Sequence, residues 1–275
     1  MQNITIGFIG AGHMASSLIG GLITAEHPAE KIWASEPLTE KLAELQKKFP
    51  GVHFVADNKT VAEQAQVLIF AVKPQILKDV AVELAPIIAA KQPLIISIAA
   101  GVREPDLRKW LGEQTAIVRC MPNTPALIQS GATALYANAK VTATQKNIAE
   151  SILRAVGVTV WMDEEHQLDA VTALSGSGPA YFFLVIEALE QAAIAMGLSA
   201  ETAHLLTLQT ALGSTKMALE SNQSAAELRQ QVTSPGGTTE QAIQTLEKGN
   251  LRTLFAQALA AAEQRAQELG QLFSK

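Results

Sequence analysis

Apolar residues recur along this chain in two different rhythms. Up to about residue 162 they gather in short runs: "ITIGFIG", "KIWAS", "VLIFAV", "LIISIAA", "AIVRCM", "ATALYA" and "GVTVWM". Intervening segments such as "LTEKLAELQKKF" and "KDVAVELAPIIAA" carry the three-and-four spacing of amphipathic helices. Strands alternating with helices predict βαβ units and a doubly wound, largely parallel sheet, an α/β fold. The runs from "ATALYA" onward are expected to pair at a sheet edge.

From about residue 164 no strand pattern follows. Helical patterns take over: "DAVTALSG", "GPAYFFLVIEALEQAAIAMG", "SAETAHLLTLQTALGSTKMALES", "SAAELRQQV", "TEQAIQTLEKG" and "LRTLFAQALAAAEQRAQELG". Ser199 with Glu201 and Thr202, and Ser224 with Glu227, have the form of N-cap signals. Two domains are expected, 1–162 and 163–275, joined tightly near Trp161–Glu165. Residues 180–196 and 254–262 are apolar on more than one helical face, which a single small helical layer does not cover. A second subunit is the economical cover. The most apolar stretch, "PAYFFLVIEALEQAAIAMG", is interrupted by Glu187 and Glu190, so it is expected to be a buried helix rather than a membrane span.

Composition narrows the function classes. A chain of 275 residues, 48% hydrophobic and 17% charged, has enough apolar surface for a sizeable core. A net charge of −5 without any Lys/Arg cluster argues against nucleic acid or an acidic membrane as partner. The single Cys120 excludes internal disulfides and fits a reducing cytoplasm; in the apolar run "AIVRCMP" it reads as a buried, inert thiol. The N-terminal residues carry no leader signature. The five histidines show no ligand spacing, so no metal site is expected.

"ITIGFIGAGHMASSLIGGLI" supplies the first candidate chemistry. Ile9 closes a strand, and Gly10-Ala11-Gly12-His13-Met14-Ala15 is a G-x-G-x-x-A opening an amphipathic helix. Gly10 permits the tight turn, Gly12 admits a pyrophosphate to the backbone, and Ala15 allows close helix–strand packing. That context predicts dinucleotide binding on a Rossmann-type domain. The second strand ends in Ser35-Glu36. Glu36 favours NAD if it faces the ribose, whereas Ser35, with Asn58 beside it, suits the 2′-phosphate of NADP. "AVKPQ", with Ala71, Val72, Lys73 and Pro74, and "IAAGV", with Ala99 and Ala100, follow "VLIFAV" and "LIISIAA" where ligands of such sheets bind. Lys73 is either a phosphate or ribose contact or a solvated lysine.

"GFIGAGHMA", "AVKP", "SIAAGV", "MPNTPA", "SGSGPAY" and "SPGGTT", in this order and spacing, resemble Δ1-pyrroline-5-carboxylate reductases over nearly the whole chain. The resemblance implies reduction of a cyclic imine to L-proline by NADP(H), with NAD(H) as the other coenzyme to be weighed. It also implies a helical dimerisation domain, a homodimer, and dimers that often gather into a decameric ring. Glu36 departs from the arginine or neutral residue with which many members close the second strand.

Such a reaction requires a carboxylate cradle, a donor at the ring nitrogen, and a wall holding the ring against nicotinamide. Gly236, Gly237, Thr238 and Thr239 at a helix N-terminus offer backbone N–H groups to a carboxylate. By the resemblance, the Thr239 hydroxyl meets the ring nitrogen. The competing reading makes Thr238 or Thr239 simply an N-cap. In "LSGSGPAYFF", Ser177 and its neighbours either approach the ring or merely open a helix at Pro179. In "RCMPNTPAL", Asn123 and Thr124 lie on a rigid loop, Asn123 as a coenzyme contact, with Met121 and Pro122 covering the nicotinamide; the alternative is a plain turn. A β-hydroxyacid dehydrogenase would need a lysine in a compact apolar motif, which Lys216, Lys248 and Lys275 do not provide. A nucleotide sensor on the same fold would have no need of "SPGGTT".

Overall fold

A computed structural model describes residues 3–273; Lys275 lies outside them. Eight strands form one sheet: β1 (Ile6–Ile9), β2 (Ile32–Ser35), β3 (His53–Val55), β4 (Val67–Phe70), β5 (Leu94–Ser97), β6 (Ile117–Met121), β7 (Gly131–Ala137) and β8 (Gly157–Trp161). Their spatial order is β3-β2-β1-β4-β5-β6-β7-β8. Every pair is parallel except β6–β7, and β7 and β8 occupy the edge expected of the late runs. Among these strands β3 has no counterpart in the apolar runs. Three residues are too few to display an alternation, and β3 takes its place by pairing with β2 at the opposite edge.

Helices α1 (His13–Thr24), α2 (Thr39–Lys48), α3 (Asn58–Gln64), α4 (Pro74–Lys91), α5 (Glu104–Leu111) and α6 (Ala143–Arg154) cross between strands. They divide the buried side chains into two clusters. One, around Phe8, Leu18, Leu22, Ile96 and Ile152, includes residues of α1 and α6. The other, around Ile9, Phe70, Leu77, Leu84 and Leu107, includes residues of α3, α4 and α5. The sheet is buried on both faces, the reason its central strands read as unbroken apolar runs. Cys120 lies in the first cluster, and burial pushes its thiol far above the ordinary range, which keeps it protonated and inert.

Six further helices and a π-helical turn follow among the described residues. After α7 (Gln167–Val171) and the turn Thr172–Gly176 come α8 (Gly178–Ala195), α9 (Ala200–Glu220), α10 (Ala225–Gln231), α11 (Thr238–Lys248) and α12 (Leu251–Phe273). Ser199 caps α9 through the Thr202 N–H, and Ser224 with Glu227 closes a reciprocal capping box on α10. The compact units are 1–177 together with 261–275, and 178–260, so the spatial division falls later than the change of rhythm at residue 162. The reason lies in the side chains that tie the junction to the sheet. Trp161 Nε1 donates to Glu150 Oε2 (3.0 Å), and Glu165 Oε1 accepts the Glu104 N–H (2.6 Å) and the Arg119 guanidinium. The α7 segment therefore belongs with the strands.

The second unit has almost no core of its own. Between 178 and 260 only Gly178 and Ala203 are buried. Helix α8, expected to be buried, instead exposes Phe182 (69%), Phe183 (66%) and Leu184 (65%), and α9 exposes Leu205 and Leu212. By length and composition alone the run Gln167–Ala195 is also long and apolar enough to cross a membrane. Apolar faces that one chain leaves open at this scale mark a surface that something else covers.

One buried group gives the first unit a pH dependence. His27 follows α1, is 4% exposed, and neither ring nitrogen has a hydrogen-bond partner. Burial pulls its pKa below the ordinary histidine value, opposed only in part by the Ile4 backbone and Glu30. A depressed folded pKa means that the unfolded chain takes up the proton first. Stability is complete above about pH 6.5 and is lost as the pH falls through that value toward the folded pKa. Melting temperature should therefore fall between about pH 7 and pH 5 with a slope of at most one proton, and His27→Leu should flatten that part of the slope. Identical slopes in the two proteins would remove His27 from the acid response.

Candidate active site

The strand order reverses between β1 and β4, and a ligand of such a sheet lies outside the carboxyl ends of the strands at that point. Gly10 follows β1 with φ +92°, a conformation that favours glycine, and a Cβ there would stand 2.9 Å from Val72 Cγ1. The turn is thus pressed against Ala71 and Val72, and the Ala71 N–H donates to the Ile9 carbonyl (2.9 Å). Gly12 is different. It is the N-cap of α1 with an ordinary backbone (φ −67°), and a Cβ would meet nothing within 4 Å. The first intrahelical bond runs from the Ser16 N–H to the Gly12 carbonyl, leaving the N–H groups of His13, Met14 and Ala15 at an uncapped helix start. No acidic side chain lies in that first turn. Open space against free donors at the positive end of a twelve-residue helix fits a pyrophosphate.

The ribose side departs from expectation. Ser35 is 1% exposed, and its hydroxyl accepts the Gly10 N–H (3.0 Å) and donates to the Phe8 carbonyl (3.4 Å). In this position the hydroxyl braces the glycine turn. Glu36 is buried too, and its Oε1 accepts the Leu38 N–H (3.2 Å), so its carboxylate stabilises its own loop. Asn58 opens α3 behind the Asp57 N-cap, which holds the Lys59 and Thr60 N–H groups. Lys73 is the exposed N-cap of α4 with Pro74 at the first helical position, at the carboxyl end of β4. Ala99 and Ala100 follow β5, and the adjoining Gly101 (φ +77°) lies under Phe273 and Leu269 of α12.

At the end of β6, Met121 precedes the buried Pro122 and the half-buried Asn123. Asn123 does not face solvent with its amide. Its Nδ2 donates to the Ser175 carbonyl (3.3 Å) and Ser175 Oγ (3.2 Å), and its Oδ1 accepts the Ala132 N–H (2.9 Å). The π-helical turn that carries Ser175 was not legible as such; π turns often mark functional positions in helices. Ser177 is half-buried directly after it.

In the second unit, "SPGGTT" forms the start of α11. Gly236 has φ +72°, so a glycine is required there. Gly237 is the N-cap, which places Thr238 and Thr239 in the first turn and removes the reading that either threonine caps the helix. Two expected donors are already used: the Gly236 N–H binds Glu240 Oε2 (2.8 Å), and the Gly237 N–H binds the Ser234 carbonyl (3.0 Å). The first helical bond is from Gln241 N–H to the Gly237 carbonyl, so the free donors are the N–H groups of Thr238, Thr239 and Glu240. Thr233 and Thr245 tie their hydroxyls to carbonyls four residues back, whereas Thr238 and Thr239 make no such bond. Among the described residues no cluster of His, Cys, Asp or Glu has the form of a metal site.

The chain as a whole is similar to known proteins. Residues 165–269 match the family described as pyrroline-5-carboxylate reductase dimerisation, and residues 5–101 the family described as NADP oxidoreductase, coenzyme F420-dependent. A pyrroline-5-carboxylate reductase of Pseudomonas aeruginosa is 51% identical, covering 98% of each chain. A solved pyrroline-5-carboxylate reductase from Coxiella burnetii is 51% identical with a TM-score of 0.93, over 97% of this chain and 98% of that one. A Plasmodium falciparum pyrroline carboxylate reductase with NADP bound is 32% identical with a TM-score of 0.87, over 98% and 99%.

Proposed function

The chain belongs to the pyrroline-5-carboxylate reductase family, and from that premise we propose how its own residues carry the reaction. It is an NAD(P)H-dependent oxidoreductase that reduces the C=N bond of 1-pyrroline-5-carboxylate to give L-proline, the last step of proline biosynthesis. When bound, NAD(P)H supplies the hydride that the imine carbon accepts. The N–H groups at the start of α1 hold the pyrophosphate, with Gly12 leaving room for it. Ile9, Gly10 and Ala11 shape that turn, and Ala71 to Pro74, Ala99 and Ala100 line the carboxyl edge of the sheet.

The observation that carries the substrate reading is the open start of α11. Free N–H groups of Thr238 and Thr239 suit the substrate carboxylate, and an unpartnered Thr239 hydroxyl suits the ring nitrogen. Such a donor matters because the nitrogen gains electron density as hydride reaches the carbon. By the family resemblance Ser177 is a substrate contact as well. The experiment is the loss of NAD(P)H absorbance with pyrroline-5-carboxylate, run beside 3-hydroxyisobutyrate with NAD(P)⁺. Turnover of the second pair alone would overturn the assignment.

The helical unit is the basis of a homodimer, with a decamer built of such dimers as the larger assembly. The exposed apolar faces of α8 and α9 support this, since a second copy would bury them. Light scattering at about micromolar concentration should give a dimer or larger mass. A stable, fully active monomer would contradict it. A cytoplasmic location is supported by a lone, buried thiol and the absence of any disulfide requirement.

A further inference from the structure

The Asn123 amide is committed on both sides. Ala132 N–H is only a donor and the Ser175 carbonyl only an acceptor, so the side chain has one orientation: Oδ1 toward β7 and Nδ2 toward the π turn. It thereby joins the end of β6, the start of β7 and the turn Thr172–Gly176, with Ser175 52 positions away in sequence. The turn itself closes through the Ser177 N–H on the Thr172 carbonyl (2.9 Å), five residues back. A π turn is rare and seldom extends beyond one turn, so it persists where neighbours hold it. The other hold is Met121: a Cβ on Gly176 would lie 2.4 Å from Met121 Cε, so that methyl lies where a side chain at 176 would be.

From this we propose that Asn123 is a positioning residue for the imine substrate and not a coenzyme contact. It fixes Ser175-Gly176-Ser177 over the carboxyl end of β6 and so sets where the Ser177 hydroxyl presents itself. The inference rests on the substrate reading given above for Ser177. Asn123→Asp keeps the acceptor for Ala132 N–H but turns a carboxylate oxygen toward the Ser175 carbonyl. Ser175→Ala removes only the Oγ acceptor.

Steady-state kinetics and direct titration with NADPH separate the roles. Asn123→Asp should raise KM for pyrroline-5-carboxylate about tenfold, as expected for losing the bonds to Ser175, with kcat and NADPH Kd within about twofold of wild type. Ser175→Ala should shift the same KM in the same direction by a smaller factor, and the double variant should fall short of the product of the two. Weakened NADPH binding with an unchanged KM for the imine would overturn the inference, as would unchanged constants throughout. If Asn123→Asp does not fold, Ser175→Ala decides: a raised imine KM supports positioning, and a wild-type KM refutes it. Absence of turnover in the wild-type protein would defeat the functional reading itself, which the variant data alone cannot do.

Discussion

Gly12→Val should weaken NAD(P)H binding about 10²-fold, the equivalent of two charge-assisted hydrogen bonds at ~1.5 kcal/mol each, while the melting temperature stays near that of wild type. The second half of that expectation comes from the backbone. Gly12 has φ −67°, which any residue adopts, and a Cβ enters open space. The first half comes from what the open space adjoins: the donors of His13, Met14 and Ala15 at the start of α1. Two methyl groups there keep a phosphate at a distance. Gly10→Val is the contrast, since φ +92° and the 2.9 Å approach to Val72 make that change a folding defect. Fluorescence titration with NADPH, beside thermal melts of both variants, checks the pair. Normal affinity in Gly12→Val would leave the turn a structural feature only.

Thr239→Val should lower kcat roughly tenfold or more and leave stability nearly unchanged. Loss of a single preorganised donor to a centre of developing charge typically costs ~10²–10³ in kcat. The smaller figure applies here because the imine can arrive already protonated. For the same reason activity should recover in part as the pH falls from about 8 to about 5.5, where more substrate carries its own proton. Had Thr239 been the cap of α11, the signature would be a loss of ~1 kcal/mol in stability with kcat intact. Gly237 holds the cap position, so a melting change and a catalytic change are separable in this variant. A kcat equal to wild type across that pH range would exclude Thr239 from the chemistry.

Much of the architecture is legible in the sequence alone. Gly-x-Gly-x-x-Ala between an apolar run and an amphipathic stretch identified the β1–α1 turn. Ser199 and Ser224 announced two helix starts, because a cap is a contact between residues three apart. The excess of apolar faces in 180–196 pointed to a second copy, although the isolated chain exposes α8 rather than burying it. Strand β3 is not legible, because three residues carry no readable period.

The candidate site was legible as a set of positions but not as a set of roles. Ser35 reads as a ribose-side donor in the sequence, and the fold adds a second role, accepting the Gly10 N–H across 25 positions of sequence. Asn123 was read as a coenzyme contact, yet its amide is engaged by Ser175 and Ala132. Gly236 and Gly237 were read as carboxylate donors, yet Glu240 and Ser234 already take their N–H groups. By itself the sequence determined what is local: the periods that make helices and strands, the glycines that φ demands at Gly10 and Gly236, and the motifs that place the chain in its family. Tertiary structure alone decided which polar groups remain free. A donor's availability depends on neighbours that arrive from distant segments, and a hydrogen bond made within the fold is one that a ligand no longer finds open.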